Sequence, residues 1–387
     1  MQLNQTHNFL QKIKVFVLVP SLITEDANIN YYYDFSQSIE EYTKIFAELN
    51  VEWIWQPVTM LNYVSIIESI TLQNNARKIP VVLNLCDGDE VNGTPGISVI
   101  HCLEKNNLLY TGADDYFYNI TTSKLPMKKA FDKYKVPTAK WLAIANRNGI
   151  DKKLFDKLGS PVIVKPAVSG GSMGVGIKNI VHNNDELQEQ VFKMFDGYRG
   201  WHLTTDGIIA EEFIDGAEYT VLIAGSYNNP SKAVVYAPVE RAFHASLPDN
   251  EKFLSFDRLW EIYEDETPMP NDENFYEYVA PDISLHEKIK QLSWDAYVAV
   301  KGKGYTRVDL RMDKKTGNIY VLEVNAQCGL SEDENFTSIG AILRLSGNTF
   351  KDLIVQILED AISRKKSATK VVQVKTRKTK TAVAAAS

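Results

Sequence analysis

Gly304-Tyr305-Thr306-Arg307-Val308-Asp309-Leu310-Arg311 and, after a short hairpin, Tyr320-Val321-Leu322-Glu323-Val324-Asn325 decide the reading of this 387-residue chain. Polar and apolar residues alternate in both runs, the pattern of strands with one buried face. Side chains two apart share a face, so Arg307, Asp309, Glu323 and Asn325 are expected on one patch of two neighbouring strands. Three oxygen-bearing groups beside a guanidinium suit a divalent metal that carries polyphosphate. The patch predicts a Mg-ATP site.

The rest of the chain sets the class. Its length allows two or three packed units, and its 44% apolar content is that of a globular protein. No run of about eighteen apolar residues occurs and the first eight residues are polar, so neither a membrane span nor an export signal is read, and a cytoplasmic enzyme is expected. Cys86, Cys102 and Cys328 fit no zinc spacing and are too few to staple a chain of this size. The net charge of −7 is uneven: residues 364–387 hold eight Lys or Arg and no acid, leaving roughly −15 on the body. An acidic body argues against a nucleic-acid surface. The basic tail, 365–387, lacks helical periodicity and is expected to be disordered.

Upstream, the apolar strand Ile13 to Val19 is followed by a helix at Asp34 to Leu49, with Phe35, Ile39, Tyr42, Phe46 and Leu49 at helical spacing. Val51 to Trp55, a helix-like Leu61 to Asn75 and the buried pattern Pro80 to Leu85 repeat the alternation, which implies a parallel sheet covered by helices. Loops after such strands, Ser21 to Tyr33 and Cys86 to Gly96, lie where α/β folds bind ligands. A helix capped by Thr122 runs to Tyr134, and strands follow at Trp141 to Ala145 and Pro161 to Lys165. Gly207 to Asp215, Glu218 to Gly225 and Lys232 to Val239 read as strands of one mixed or antiparallel sheet. Arg241 to Ala280 is a long polar and aromatic excursion, expected to be a functional lid or disordered. Helices are expected at Leu285 to Val300 and Thr349 to Ile362.

Two further segments carry chemistry. Ser169-Gly170-Gly171-Ser172-Met173-Gly174-Val175-Gly176 follows Val162-Ile163-Val164-Lys165-Pro166; its glycines let backbone amides wrap phosphate oxygens, with serine adding a hydroxyl. It matches neither G-x-x-x-x-G-K-[ST] nor G-x-G-x-x-G, and kinase triplets are absent. Glu211 to Ile214 and Glu218 lie on a strand, turn and strand whose backbone at Glu212 to Ile214 can read an adenine edge and whose Glu218 can accept from ribose hydroxyls.

Taken in order, Lys124, Val-Ile-Val-Lys-Pro, the glycine loop, Glu-Glu-Phe-Ile-Asp-Gly-Ala-Glu-Tyr-Thr, Arg-Val-Asp-Leu and Leu-Glu-Val-Asn resemble the ATP-grasp superfamily, and within it the D-alanine:D-alanine ligases. With Leu83-Asn84-Leu85, Tyr110-Thr111-Gly112 and Thr122-Ser123-Lys124, the resemblance covers roughly residues 13 to 362. It implies an α/β (α+β) ATP-grasp fold of three subdomains: 1–115 a Rossmann-like parallel sheet for substrate, 116–206 a small central unit, and 207–364 a mixed or antiparallel metal-binding unit. By resemblance, Lys124 and Lys165 contact ATP phosphates while Ser169, Gly170, Gly171 and Ser172 close over them. Glu211, Glu212, Phe213 and Ile214 would hold adenine, and Glu218 the ribose. Asp309, Glu323 and Asn325 would bind two Mg2+ ions, with Mn2+ an alternative, and Arg307 would sit beside the transferred phosphoryl group. The implied reaction makes an acyl phosphate from a carboxylate and ATP, which an amine converts to an amide, ADP and phosphate. Such chemistry rests on positioning and charge neutralisation, with a lid to exclude water.

The chain departs from the family at its substrate loops. Pro20-Ser21-Leu22-Ile23-Thr24-Glu25-Asp26 lacks the glycine, serine and glutamate motif. Asp87-Gly88, followed by Asp89 and Glu90, replaces His-Gly. Beyond Leu-Glu-Val-Asn the run Ala326 to Asn335 puts Gly329 in the loop and Glu334 where the family's acceptor-binding serine lies. Asp87, Gly88, Glu90, Gly329 and Glu334 are therefore the candidate substrate residues. They predict an amino-acid-like donor and a cationic acceptor, or one without a free carboxylate, since Glu334 would repel a carboxylate. Alternatives are a ligase acting on a peptide or protein, or a catalytically silent ATP-binding regulator. Expected partners are small amino acids or amines, with neither nucleic acid nor membrane, and a homodimer by resemblance.

Overall fold

β1 (Ile13–Pro20) is buried at every position but Lys14, because helices cover both faces of its sheet. In this computed structural model, which describes residues 9–22, 34–74, 78–333 and 337–365, β1 pairs in parallel with β2 (Glu52–Val58) and β3 (Ile79–Asn84). With β4 (Leu109–Tyr110) the sheet order is β2-β1-β3-β4. Alternation divides β1 between two cores. Phe16 and Leu18 pack with Ile67 and Ile70 of α2 (Tyr63–Leu72) and with Val99 and Leu103 of α3 (Ile97–Lys105). Val15, Val17 and Val19 meet Tyr42, Ile45 and Phe46 of α1 (Ser36–Leu49) and also Leu353, Ile354, Ile357 and Leu358 of the last described helix, residues 350–365.

The expected helix cap at Thr122 is corrected. Residues before it form their own helix, α4 (Asp115–Thr122), whose N-cap Asp114 accepts from the Phe117 amide. Ser123 is extended, at φ −108 and ψ 134, so the chain breaks there and α5 (Lys124–Tyr134) starts anew. Thr122 donates its hydroxyl back to the Tyr118 carbonyl at 2.8 Å.

A small antiparallel sheet of order β5-β8-β6-β7 follows, formed by β5 (Trp141–Ile144), β6 (Val162–Pro166), β7 (Ile180–Val181) and β8 (Ile208–Glu212). α6 (Leu154–Leu158) and α7 (Asn184–Asp196) cover one face through Leu154, Leu158, Leu187 and Val191. The sequence reading grouped 207–215 with the strands after it. β8 instead pairs with β5 and β6, so the change of sheet falls after Glu212.

The third sheet is antiparallel and runs β12-β11-β9-β13-β14, with β10 (Val234–Val235) also paired to β9. Its strands are β9 (Glu218–Ala224), β11 (Val239–Phe243), β12 (Tyr276–Val279), β13 (Tyr305–Met312) and β14 (Ile319–Ala326). Lys232 to Val239, read as one strand, is thus two pairings with a break. The excursion from Arg241 to Ala280 is structured: β11 and β12 form an edge pair enclosing α8 (Phe256–Trp260) and a small core of Leu247, Met269 and Phe275. α9 (His286–Ala299) packs beneath β9, β13 and β14 with α4 and α5, and α10 (Ser338–Ser346) joins the core shared with the first sheet. The opposite face of β9 changes character along its length, from Glu218 and Thr220 to Leu222 and Ala224, whose apolar side chains join that shared core. The polar half is left as the floor of a cleft. No helix among the described residues is long and apolar enough to cross a membrane. The tail 366–387 and most of the loop Ser21 to Tyr33 lie outside the described residues.

Candidate active site

The two strands that opened the sequence reading pair as expected, Arg307 opposite Asn325 and Asp309 opposite Glu323. The register then shifts from Asp309↔Glu323 to Leu310↔Val321, a bulge at Leu322. That extra residue lets Val321 and Ile319 face the core while Glu323 and Asn325 stay on the cleft side. Arg307 donates from Nε to Asp309 Oδ1 at 3.0 Å and from Nη2 to Oδ2 at 2.8 Å, and Asn325 Nδ2 donates to Oδ2 at 2.8 Å. Burial alone would raise the Asp309 carboxyl, but Arg307, followed by Arg241, holds it below its ordinary value. It is therefore an anion.

Glu323 faces across to α5, where Lys124 Nζ lies 3.5 Å from its Oε2. Lys124 also donates to the Ser169 carbonyl at 3.2 Å, so it bridges the hairpin and the glycine loop. Within the loop Gly171 and Ser172 have φ of +54 and +59. The amides of Gly170, Gly171 and Ser172 donate to no protein group among the described residues. Successive open amides in such a turn can form a concavity suited to an anion. Asn179 anchors its base: Nδ2 donates to the Val164 and Gly174 carbonyls at 2.8 and 3.1 Å, and Oδ1 accepts from Gly176.

β6 brings Lys165 to the same cleft, and there its ammonium contacts Glu211 Oε2. The other Glu211 oxygen is 2.5 Å from Lys128 Nζ, fully buried on α5. Burial pushes the Glu211 carboxyl up, yet the two ammonium groups outweigh it and hold it down at about 2. Of the other expected adenine residues, Glu212 pairs with Lys140 at 3.7 Å, Phe213 packs with Phe253, Ile163 and Val175, and Ile214 is buried. Glu218 sits on the cleft floor between two guanidiniums: Arg241 on β11 contacts Oε1 and Arg311 on β13 lies 3.7 Å from Oε2. Arg241 also stacks on Tyr276 and Tyr278, with ring centres 5.3 and 5.5 Å away. Sequence reasoning missed Arg241, Arg311 and Lys128, since nothing in their local pattern separates a cleft cation from a solvated one.

Each charged group of the cleft is thus neutralised by another. The pairs are Lys165 with Glu211, Arg241 with Glu218, Arg307 with Asp309, and Lys124 with Glu323. Among the described residues no three His, Cys, Asp or Glu side chains cluster as a metal cage. Two carboxylates and an amide suit Mg2+ all the same, because this ion keeps few protein ligands and completes its octahedron with phosphate oxygens and water.

The substrate candidates divide. Asp87 is exposed just after β3, next to buried Cys86 and within electrostatic range of the buried Tyr118, Tyr305 and Cys328. Limited hydration there, and then Asp89, pushes its carboxyl up to about 6. Glu90 is corrected: its carboxylate accepts from the Gly96 and Ser98 amides at 3.1 and 2.6 Å and from the Ser98 hydroxyl at 2.7 Å. It caps the start of α3 and is not free for a ligand. Gly88 is needed for packing, as a Cβ there would come within 2.1 Å of the Thr94 carbonyl oxygen. Gly329 is exposed near Thr337, and Glu334 lies outside the described residues. Two residues the sequence hid organise this end. Gln327 Nε2 donates to the Cys86 carbonyl at 2.8 Å while its Oε1 accepts from Ala113 at 3.1 Å. Buried Glu41 accepts from the Ser331 hydroxyl and the Glu332 and Asp333 amides.

The family model described as D-ala D-ala ligase C-terminus matches residues 131–359, which include the hairpin, the glycine loop and the cleft floor. The chain belongs to that family. Its relatives include the D-alanine–D-alanine ligase of Acetivibrio thermocellus, 25% identical over 307 residues, covering 77% of this chain and 72% of that protein. The ligase of Treponema denticola is 28% identical over 282 residues, covering 69% and 67%. The crystal structure of the D-alanine–D-alanine ligase from Bacillus anthracis complexed with ATP superposes with TM-score 0.64 at 19% identity, over 92% of this chain and 99% of that one. D-alanyl-alanine synthetase A from Vibrio cholerae gives TM-score 0.64 at 16% identity, over 91% and 99%. This chain therefore has the ATP-grasp fold expected of it, and as a family member it is an ATP-dependent, ADP-forming carbon–nitrogen ligase that works with Mg2+ on small molecules.

Proposed function

We propose that this D-alanine–D-alanine ligase relative activates the carboxylate of a small amino acid as an acyl phosphate and joins it to an amine other than D-alanine. The observation that carries the reading is the cross-strand patch of Arg307, Asp309, Glu323 and Asn325 facing Lys124 and the open amides of the glycine loop. In this reading Lys124, Lys165 and the amides of Ser169 to Ser172 receive the phosphates, the Ser172 hydroxyl closing over them. The backbone of Glu211 to Ile214 takes adenine, and Glu218 turns from Arg241 to the ribose. Asp309, Glu323 and Asn325 hold two Mg2+ ions, or Mn2+ in their place, and Arg307 steadies the phosphoryl group in flight. The ions would offset the triphosphate's charge.

A carboxylate oxygen of the donor attacks the γ-phosphorus, and ADP leaves. The acceptor amine then attacks the acyl carbon, phosphate departs and the amine's extra proton is lost. Nothing in this needs a side-chain nucleophile; in-line placement and charge neutralisation suffice. Arg307, already aligned by Asp309, costs little reorganisation when charge develops.

Specificity rests on the departures from the family. Asp87, exposed at the end of β3, suits a substrate ammonium. Glu334 stands in sequence where relatives place the serine for the acceptor's carboxylate, and a like charge there rejects such an acceptor. A screen of ADP release over pairs of amino acids and amines, with mass detection of the amide, tests this. Fast phosphate release with D-alanine alone would overturn the altered specificity while leaving the ligase class intact. Light scattering tests the homodimer that the resemblance implies.

A further inference from the structure

The segment joining β11 to β12 grips the glycine loop by its backbone. Trp260 Nε1 donates to the Gly171 carbonyl at 2.8 Å. The Phe256 amide donates to the Val175 carbonyl at 2.8 Å, and the Ile177 amide donates to Glu266 Oε1 at 2.9 Å. Glu266 is buried and itself held in place, for the Ser255 hydroxyl donates to its Oε2 at 2.5 Å and Arg258 Nε lies 3.6 Å away. Asp257 Oδ2 accepts the amides of Glu264, Asp265 and Glu266, a turn that aims the Glu266 side chain at the loop. Outside this lie Arg199 with Glu264 at 3.1 Å, and Lys178 and Lys193 with Asp265 at 2.5 and 3.0 Å. Those outer pairs are half in water and add little.

The backbone contacts decide where the loop's amides point. In a trans peptide the carbonyl of one residue and the N–H of the next project in opposite directions. By tying down the Gly171 carbonyl, Trp260 turns the Ser172 N–H the other way, and that amide is one of the three with no acceptor among the described residues. The glycines serve this grip as well as any phosphate: a Cβ on Gly171 would lie 3.1 Å from the Trp260 ring, and one on Gly176 3.1 Å from Glu266 Oε1. A loop without secondary structure of its own would otherwise lose conformational freedom at the moment it binds.

We propose that Trp260 and Glu266 are positioning residues of the nucleotide site, which orient the amides of the glycine loop for the triphosphate and tie that loop to the β11–β12 edge bearing Arg241. The inference rests on the reading that the loop takes phosphate. The two halves of the cleft are then fastened to each other before any ligand arrives.

The test uses the full chain and a nonhydrolysable ATP analogue with Mg2+, measured by calorimetry, with AMP as control because it lacks the phosphates that the loop would hold. Trp260→Phe keeps the ring and loses the donor; Glu266→Ala loses the acceptor; Glu266→Gln keeps one acceptor oxygen for the Ile177 amide. We expect Trp260→Phe and Glu266→Ala each to weaken the triphosphate analogue about ten-fold, near the worth of one directed hydrogen bond. AMP affinity stays unchanged, Glu266→Gln restores most of the loss, and amide exchange of residues 168–179 speeds up in the first two variants. Binding within two-fold of wild type with unaltered exchange overturns the proposal, and so does a parallel loss of AMP affinity, which marks a general structural role. Wild-type protein that binds AMP but not the triphosphate analogue overturns the phosphate reading of the loop, and this inference with it.

Discussion

Lys128, fully buried on α5, holds its ammonium 2.5 Å from Glu211 Oε1, while Lys165 contacts the other oxygen from the cleft side. Lys128 thus belongs to the framework, and on the proposed reading Lys165 is the one that turns to a phosphate. When a phosphate draws Lys165 away, Lys128 keeps Glu211 from becoming a lone buried charge, a state that costs several kcal/mol.

Lys128→Met should therefore destabilise the fold by about 3 kcal/mol, the lower end of what breaking a buried ion pair costs. Urea unfolding measures it. The pH dependence has a definite sign. Glu211 is held at about 2 in the folded chain, below its ordinary 4.5, so its stabilisation is present above pH 4.5 and is lost as pH falls towards 2. That loss should be smaller in the variant.

Asp309→Asn and Glu323→Gln each remove one anionic oxygen donor from the patch. Ligase turnover should fall at least about a hundred-fold in each, of the order seen when one preorganised electrostatic group is removed from an active site. Calorimetry with nucleotide in EDTA should show little change. A variant that keeps wild-type turnover would exclude its residue from metal binding.

Metal uptake should require nucleotide. On the proposed reading the patch offers two carboxylates and an amide, so without nucleotide most of the six coordination positions are left to water and binding is weak. Electron paramagnetic resonance of Mn2+ should show free ion with the protein alone and bound ion once the ATP analogue is added. Tight Mn2+ binding without nucleotide would contradict this assignment.

If Asp87 holds the substrate ammonium as proposed, it should set an acid limit on substrate binding. Its carboxyl, pushed up to about 6, becomes neutral below that pH and then cannot hold an ammonium. The KM for the amino-bearing substrate should rise about ten-fold per pH unit below 6, since the ionised fraction falls that steeply. KM for ATP should not follow. In Asp87→Asn the acid limb should vanish, and its persistence would assign the limb to another group.

The hairpin, β1 and β3 were legible because their evidence is local: period-two alternation, or unbroken branched residues, over six to eight positions. β8 was assigned to the wrong sheet because strand order is set by pairing across distance; Ile208 to Glu212 has the same apolar-then-acidic pattern whichever neighbours it joins. Glu90 looked like a substrate residue since a carboxylate that caps a helix and one that binds a ligand are the same letter. Its cap partners Gly96 and Ser98 lie beyond the reach of a capping-box spacing. Gln327 and Glu41 were hidden for a plainer reason: their hydrogen bonds join residues more than 200 positions apart, as in Gln327 to Cys86 and Ser331 to Glu41.

The shared core of β1 and the helix at 350–365 has a bearing on biosynthesis. Val15, Val17 and Val19 leave the ribosome some 340 residues before Leu358, their packing partner, and at about 5–20 residues per second that is a delay of at least 17 seconds. Throughout translation one side of the nascent first domain remains sticky. A premature stop that removes the helix at 350–365 should yield aggregates rather than a smaller soluble product.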